Sequence, residues 1–443
     1  MPLDSDALAI ARAGIRAVDP AVAVRSAFRS EATRRWLGRR SGSVRTVAIG
    51  KAAAAMSAAA AEALGERFDG GVAVLREPGA PVPPNVEVHL GSHPVPTGAS
   101  FRAGTAVLEF VARLEPLDRV VFLISGGGSS LAEAPAEGIG LSAVRRTTEA
   151  LLASGAPIQG LNVVRRHLSA LKGGRLGAAT RAVRWVTLAI SDVVGDRPEE
   201  IASGPTVADP STFAEARAAL EEYRLLDRVP EEVLRHLEDG VAGRHSETVK
   251  PGDRRLSGGL FRLVATNRLA LEGAAREAAV RGYRSTLTSS HLTGETAPVA
   301  REFARKVARL RSRAPVAVLA GGETTVTLTE HSGRGGRNQE FALAAAPLLD
   351  GTGGRLVLSL GTDGVDGPTD AAGGWVDDRT MATARTKGID VGTQLARHDA
   401  YPTLEALGGL VRTGPTGTNV MDLHVGLVRP VRSSSVRPPA GSA

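Results

Sequence analysis

The chain has 443 residues, enough for two domains, and it is 42% hydrophobic but only 3% aromatic, so its cores must be aliphatic. It has no cysteine, which excludes disulfides, thiolate catalysis and cysteine-ligated metal centres. The net charge of +7 comes from arginines scattered through the chain, as in RSEATRRWLGRRSGSVR, and reads as a solvated basic surface rather than a nucleic-acid footprint.

The N-terminal MPLDSDALAIARAGIRAV carries acids and arginines in an amphipathic helical pattern, not the pattern of a secretory signal. No apolar run is long enough for a membrane span, so a cytoplasmic protein is expected. SVRTVAIG (43–50) predicts a strand leading into an alanine-rich helix from Lys51. GVAVL (71–75) and VEVHL (86–90) predict strands, Ala99 to Leu114 a helix, and RVVFLIS (119–125) a strand running into a glycine-serine loop. Helices are expected between Ser142 and Thr180 and through much of 211–238, with a strand at WVTLAIS (185–191) between them. The polar, glycine-rich GVAGRHSETVKPGDRRLSGG (240–259) is the expected boundary. Beyond it a second α/β pattern is expected, with strands at FRLVAT (261–266), YRSTLT (283–288), RLVLSLGTDG (355–364) and NVMDLHVGLV (419–428). Helices are expected from Asn267 and over 294–312, and PVAVLAGGETTVTL (315–328) predicts two strands around a Gly-Gly turn. The fold class is therefore α/β in two domains, 1–245 and 246–430, with a disordered Pro/Ser/Arg tail at 431–443.

Four glycine loops follow predicted strands: IGKA (49–52), ISGGGSS (124–130), ISDVVGD (190–196) and LGTDGVDG (360–367). Ligands bind at that edge of an open α/β sheet, and four such loops on one edge carrying Lys, Ser and Asp point to anion chemistry. The run Gly126, Gly127, Gly128, Ser129, Ser130 suits a phosphate cradle, because small residues expose backbone N–H groups and hydroxyls can donate. It fails as a dinucleotide fingerprint: the third glycine position holds Leu131, and the acid at the right spacing, Glu149, lies in a helical pattern. There is no G-x-x-x-x-G-K-[ST] loop and no G-x-S-x-G elbow.

Lys51 opens a helix, where an ammonium is unfavourable unless a bound anion lies between it and the helix end. In HSGRGGRNQE (331–340), Arg337 also stands at a helix start, where it can hold a carboxylate or phosphate, with Asn338 beside it. Asp192, Glu323, Asp363 and Asp366 follow strands, as carboxylates for Mg²⁺ coordination or for accepting a hydroxyl proton would. The histidines lack metal-ligand spacing; His93 and His291 sit in loops.

GSHPVPT (91–97), FLISGGGSSLAEAP (122–135), LNVVRRHLSALKGGRL (161–176), LAISDVVGDRPEEIASGPTVADPST (188–212), AGGETTVTL (320–328), GRGGRNQEFALA (333–344) and GTDGVDGPTDAAGG (361–374) together resemble the MOFRL-type glycerate 2-kinases. Similar sequences also carry the label hydroxypyruvate reductase, so the alternative readings are an NAD(P)H-dependent hydroxypyruvate reductase and a non-catalytic anion-binding protein. The resemblance implies a Rossmann-like α/β/α N-terminal domain and a smaller α/β MOFRL domain, with the active site in the cleft between them. It implies ATP-dependent phosphorylation of the 2-hydroxyl of D-glycerate, with Mg²⁺. The family's functional lysine and arginine fall on Lys51 and Arg337, the expected catalytic and substrate-binding cations; Asn338 is taken as substrate-binding too. Asp192 is taken as catalytic and metal-binding, Glu323, Asp363 and Asp366 as further metal ligands, and Gly126 to Ser130 as the ATP contact. Small molecules are the only partners expected, with neither nucleic acid nor membrane among them; the oligomeric state is left open.

Overall fold

The computed structural model describes residues 2–38, 43–155 and 158–430; the tail expected at 431–443 lies outside the described residues. The chain divides into two compact units. One comprises Val18–Thr266 with Gly417–Val420, the other Met1–Ala17, Asn267–Thr416 and Met421–Ala443.

The first unit is built on six strands: β1 (Val44–Ile49), β2 (Phe68–Leu75), β3 (Val86–Leu90), β4 (Arg119–Ile124), β5 (Arg184–Ile190) and β6 (Gly259–Ala265). All pairs are parallel, in the order β3-β2-β1-β4-β5-β6. That is the Rossmann-like, doubly wound order, and it reverses between β1 and β4, opening a crevice beyond their carboxyl ends. β1, β4 and β5 are buried almost throughout, which is why they read as aliphatic runs rather than alternating ones. A separate helical cluster is closed by Val144, Leu151, Leu161, Phe213, Leu220 and Leu237.

The second unit carries a mixed sheet of β7 (Arg284–Leu292), β8 (Val316–Gly322), β9 (Arg355–Gly361), β10 (Gly373–Asp377), β11 (Leu410–Val411) and β12 (Asp422–Val428). Its order is β11-β10-β9-β12-β8-β7, and only β7 and β8 run parallel. The helix Arg337–Leu349 is buried from Phe341 through Ala346 in the core of this unit.

Four expectations are corrected. The division falls at Thr266/Asn267, not at 245/246, because FRLVAT supplies β6 of the first sheet. The segment 240–259 is no free linker: Val249 is buried, its N–H donates to Gly173 O at 3.0 Å and its carbonyl accepts from Asp209 N at 2.8 Å. Trp36 Nε1 then donates to Trp185 O and Gly258 O, at 2.7 and 3.0 Å, closing the entry to β6. The N-terminal helix Leu3–Ala17 belongs to the second unit, where it packs on the helix Asn267–Val280; a Cβ on Gly273 would lie 2.3 Å from Ala17 Cβ. Finally, 315–328 gives one strand, β8. A Cβ on Gly321 would meet Asn267 Oδ1 at 2.1 Å and one on Gly322 would meet Leu292 O at 2.2 Å. These glycines serve close approach rather than a hairpin.

Candidate active site

The four glycine loops do not share one edge: three follow β1, β4 and β5 in the first unit, and 360–367 follows β9 in the second. In the first unit the loops after β1 and β4 are zipped together where the strand order reverses. Ser125 N donates to Ile49 O at 3.0 Å, Lys51 N to Gly126 O at 3.0 Å, and Ala52 N to Ser125 Oγ at 3.0 Å. Gly50, at φ +130°, leaves no room for a side chain, since a Cβ would lie 2.2 Å from Ser125 Oγ.

Around the next two glycines the side chains converge. A Cβ on Gly126 would stand 2.2 Å from an Asp192 carboxylate oxygen. One on Gly127, at φ +81°, would lie 3.2 Å from the His93 ring and 3.5 Å from Lys51 Cγ. Lys51, Asp192 and His93 therefore rim the glycine run. Burial, then the charges of Lys51, Arg76 and Arg165, push the His93 pKa down to about 4, so its ring is neutral at pH 7. A neutral imidazole among cations leaves their charge available to an anion.

The serines take a different part from the one expected. Ser130 Oγ donates to Pro94 O at 2.7 Å and accepts from Arg165 Nη2 at 3.2 Å. Asn162 donates its amide to Glu200 Oε2 at 2.7 Å, so its Oδ1 accepts from Ser203, and Ser203 Oγ in turn lies 2.9 Å from Ser129 Oγ. The Ser203 proton is spent on Asn162, and Ser129 is thus the donor in the last link. Both hydroxyl protons are used to shape the loop, and Gly128 N joins them by donating to Ser125 O at 3.3 Å.

In the second unit Arg337 begins its helix and is held by Asp422, which is fully buried at the start of β12: Nε and Nη2 donate to its two oxygens at 2.7 and 3.0 Å. Glu323 lies 3.1 Å from Nη1. Burial pulls against the charge on Arg337, but Asp422, then Glu323 and Asp366, hold its pKa above the ordinary arginine value. Asn267 Nδ2 donates to Asp422 O at 2.9 Å across the bare backbone of Gly321.

Asp366 and Asn338 depart from expectation. Asp366 accepts from Asn338 N at 3.1 Å and Gln339 N at 2.8 Å, so a carboxylate from the β9 loop caps the helix of Arg337. Burial raises its pKa to about 6, with the Asp422 charge adding, while the two N–H donors and Arg337 oppose. Asn338, expected at the substrate, is buried, with Nδ2 on Asp422 at 2.9 Å and Oδ1 accepting from Ser359 at 2.6 Å, so its amide braces the carboxylate that holds Arg337. Asp363 Oδ1 accepts from Val365 N at 3.1 Å within its own turn. Among the described residues no group of three or more His, Asp or Glu is arranged to hold a metal ion, so the four acids do not form a cage. Asp192 against Gly126 fits the other way of holding Mg²⁺, through one carboxylate, waters and substrate phosphates.

Sequence reasoning missed Asp422, the anchor of Arg337, although a lone acid opening the buried strand DLHVGLV was the available signal. It also missed Glu133 and Lys172, a buried ion pair completed by Ser169 Oγ, which donates to Glu133 Oε1 at 2.8 Å. His291 lies on β7 in the second unit, where Ser290 Oγ is 3.0 Å from its Nδ1.

Residues 6–238 match a family described as a domain of unknown function (DUF4147), and residues 316–422 match the MOFRL family. The chain is 41% identical to a glycerate 2-kinase of Pyrococcus horikoshii, covering 87% of this chain and 88% of that one. It is 42% identical to a putative hydroxypyruvate reductase of Agrobacterium vitis, over 86% of each. A crystal structure of glycerate kinase from Thermotoga maritima superposes with a TM-score of 0.84 at 39% identity, covering 96% of this chain and 99% of that one.

Proposed function

Because the chain belongs to the glycerate kinase family that joins a DUF4147 domain to a MOFRL domain, we propose that it transfers the γ-phosphoryl group of ATP to the 2-hydroxyl of D-glycerate, giving 2-phosphoglycerate and ADP. The observation that carries this reading is the convergence of Lys51, Asp192 and neutral His93 on Gly126–Gly127, where the strand order reverses. Phosphoryl transfer asks a protein mainly for positioning and for cations against the charge on the transferred group. The backbone N–H groups of Gly127 and Ser129 cradle phosphate oxygens, and the Lys51 ammonium faces the transferring phosphoryl. Arg337, its guanidinium plane fixed by Asp422 and its Nη1 paired with Glu323 at 3.1 Å, supplies the cation for the glycerate carboxylate. Asp192 would hold Mg²⁺, which would supply positive charge against the phosphates.

The reductase reading is disfavoured by position as well as by motif. In a doubly wound sheet the dinucleotide fingerprint occupies the turn after the first strand. Here that turn is Gly50-Lys51-Ala52, and the glycine run follows β4 instead. Leu131, at the third fingerprint position, is buried where a Cβ on Gly91 would strike its carbonyl at 2.1 Å. Purified protein given D-glycerate, ATP and Mg²⁺, and in parallel hydroxypyruvate and NADH, is expected to form ADP in the first mixture and to leave NADH intact in the second. Oxidation of NADH without ADP formation would overturn the reading.

A further inference from the structure

At the end of the second sheet remote from Arg337, three strand termini meet around a cavity of about 460 Å³. Val428, ending β12, pairs with Val316 of β8 on one side and Arg355 of β9 on the other, whereas Asp422 pairs with Gly322 and Gly361 at the Arg337 end. Six residues of strand separate the two ends, on the order of 20 Å. The cavity is lined by Arg311, Arg313, Arg355 and Arg429, with Ser312 and Thr352, and among the described residues no acid lines it.

Arg355 is the unusual member. It is only 5% exposed, and its guanidinium donates to carbonyls alone: Thr352 O at 2.9 Å, Gly353 O at 2.5 Å and Leu310 O at 3.0 Å. Its Nε is buried without a partner. Burial and then the charge of Arg311 bear against its proton, while Asp378 favours it. The Asp378 carboxylate accepts from Gly354 N at 3.0 Å. Arg429 is engaged by Asp6 and by Tyr283 Oη. Arg311 and Arg313 are exposed. A buried guanidinium with only neutral acceptors, flanked by two further cations, carries a desolvation cost that an anion would offset.

We propose that this arginine-lined end of the second sheet binds a small phosphate-bearing anion, at a site separate from the one that performs phosphoryl transfer. Arg311 and Arg313 form its outer clamp and Arg355 its floor.

Inorganic phosphate is the probe, and Lys51→Ala is the background, so that binding at the glycine run is weakened. The thermal midpoint of that variant is followed against phosphate, with sodium chloride at matched ionic strength as the reference for screening. The expected result is a saturable rise above the chloride reference, lost or shifted roughly tenfold or more in phosphate concentration when Arg311→Gln and Arg313→Gln are added. Both are exposed arginines, and the triple variant's midpoint in chloride reports that it is folded. No rise above chloride, or the same titration curve with and without the two substitutions, would show that there is no such site.

Discussion

At the residue scale the account rests on how Arg337 is held. Asn338 Nδ2 donates to Asp422, Ser359 donates to Asn338 Oδ1, and Ser359 Oγ lies 2.9 Å from His424 Nδ1. With the Ser359 proton spent on Asn338, His424 carries its proton on Nδ1. Its Nε2 is then a buried acceptor without a partner. The ring stacks on Phe341 at 3.9 Å between centroids. Asp422→Asn removes the charge opposite Arg337 but keeps one acceptor. Arg337 is about a third exposed, so the expected loss of stability is about 2 kcal/mol, below the 3–5 kcal/mol of a fully buried pair. Turnover is expected to fall by roughly tenfold or more as the guanidinium loses its fixed plane, with urea midpoints and steady-state kinetics as the readouts.

Acid sensitivity follows from the same residues. Burial, then the Arg337 charge, lowers His424 to about 3 from 6.5, and His93 stands at about 4. A histidine kept neutral in the fold binds fewer protons than its unfolded counterpart between the two pKa values. Its contribution is therefore present above 6.5 and is lost as pH falls toward the folded value. Asp366, raised to about 6 from 3.8, acts oppositely, retaining a proton that the unfolded chain releases between those values. His424→Gln cannot titrate and can still donate to Ser359. It is expected to lose less stability between pH 7 and pH 5 than the parent chain, as read by urea midpoints at both values. Equal losses would remove His424 from the explanation.

At the scale of elements, close approach decides where helices and loops can sit. In the second unit the helices Leu3–Ala17 and Asn267–Val280 meet through Gly14 and Gly273, and a Cβ on Gly14 would lie 2.9 Å from Ala270 O. Gly273→Val is expected to force them apart at a cost of about 1–3 kcal/mol, lowering the thermal midpoint without changing KM. The glycine run after β4 is constrained differently, because Gly127 has φ +81° with Lys51 and His93 beside it. Gly127→Ala is expected to cut kcat/KM for ATP by roughly tenfold or more while lowering stability by only about 1 kcal/mol. An unchanged kcat/KM would detach this loop from phosphate handling. The strands around these elements were legible because parallel buried strands write continuous aliphatic runs, as RVVFLIS and WVTLAIS do. Their grouping was not. β6 looks like the start of a second pattern, and only its ladder with β5 assigns it to the first sheet.

At the scale of the whole molecule, the family and the first anion loop could be read from the sequence because glycine, lysine and aspartate stand at strand ends in a recognisable order. The division of labour among polar groups could not be. Asn338, Asp366, Ser129 and Ser130 have the composition of ligand contacts, and only their hydrogen bonds show that they brace Arg337's helix and the glycine loop. Lys51 and Arg337 carry the complementary prediction: each changed to Ala is expected to lose roughly 100-fold or more in kcat/KM, Lys51→Ala with the parent thermal midpoint kept within a few degrees and Arg337→Ala with a lowered midpoint, because it leaves the buried Asp422 carboxylate without its guanidinium. The most direct measurement of the central claim is the phosphorus and carbon NMR spectrum of the product formed from D-glycerate, ATP and Mg²⁺. The account expects ADP and a phosphate coupled to carbon 2 of glycerate, formed in equal amounts. Phosphate on carbon 3, or no phosphorylated glycerate from folded protein, would contradict it.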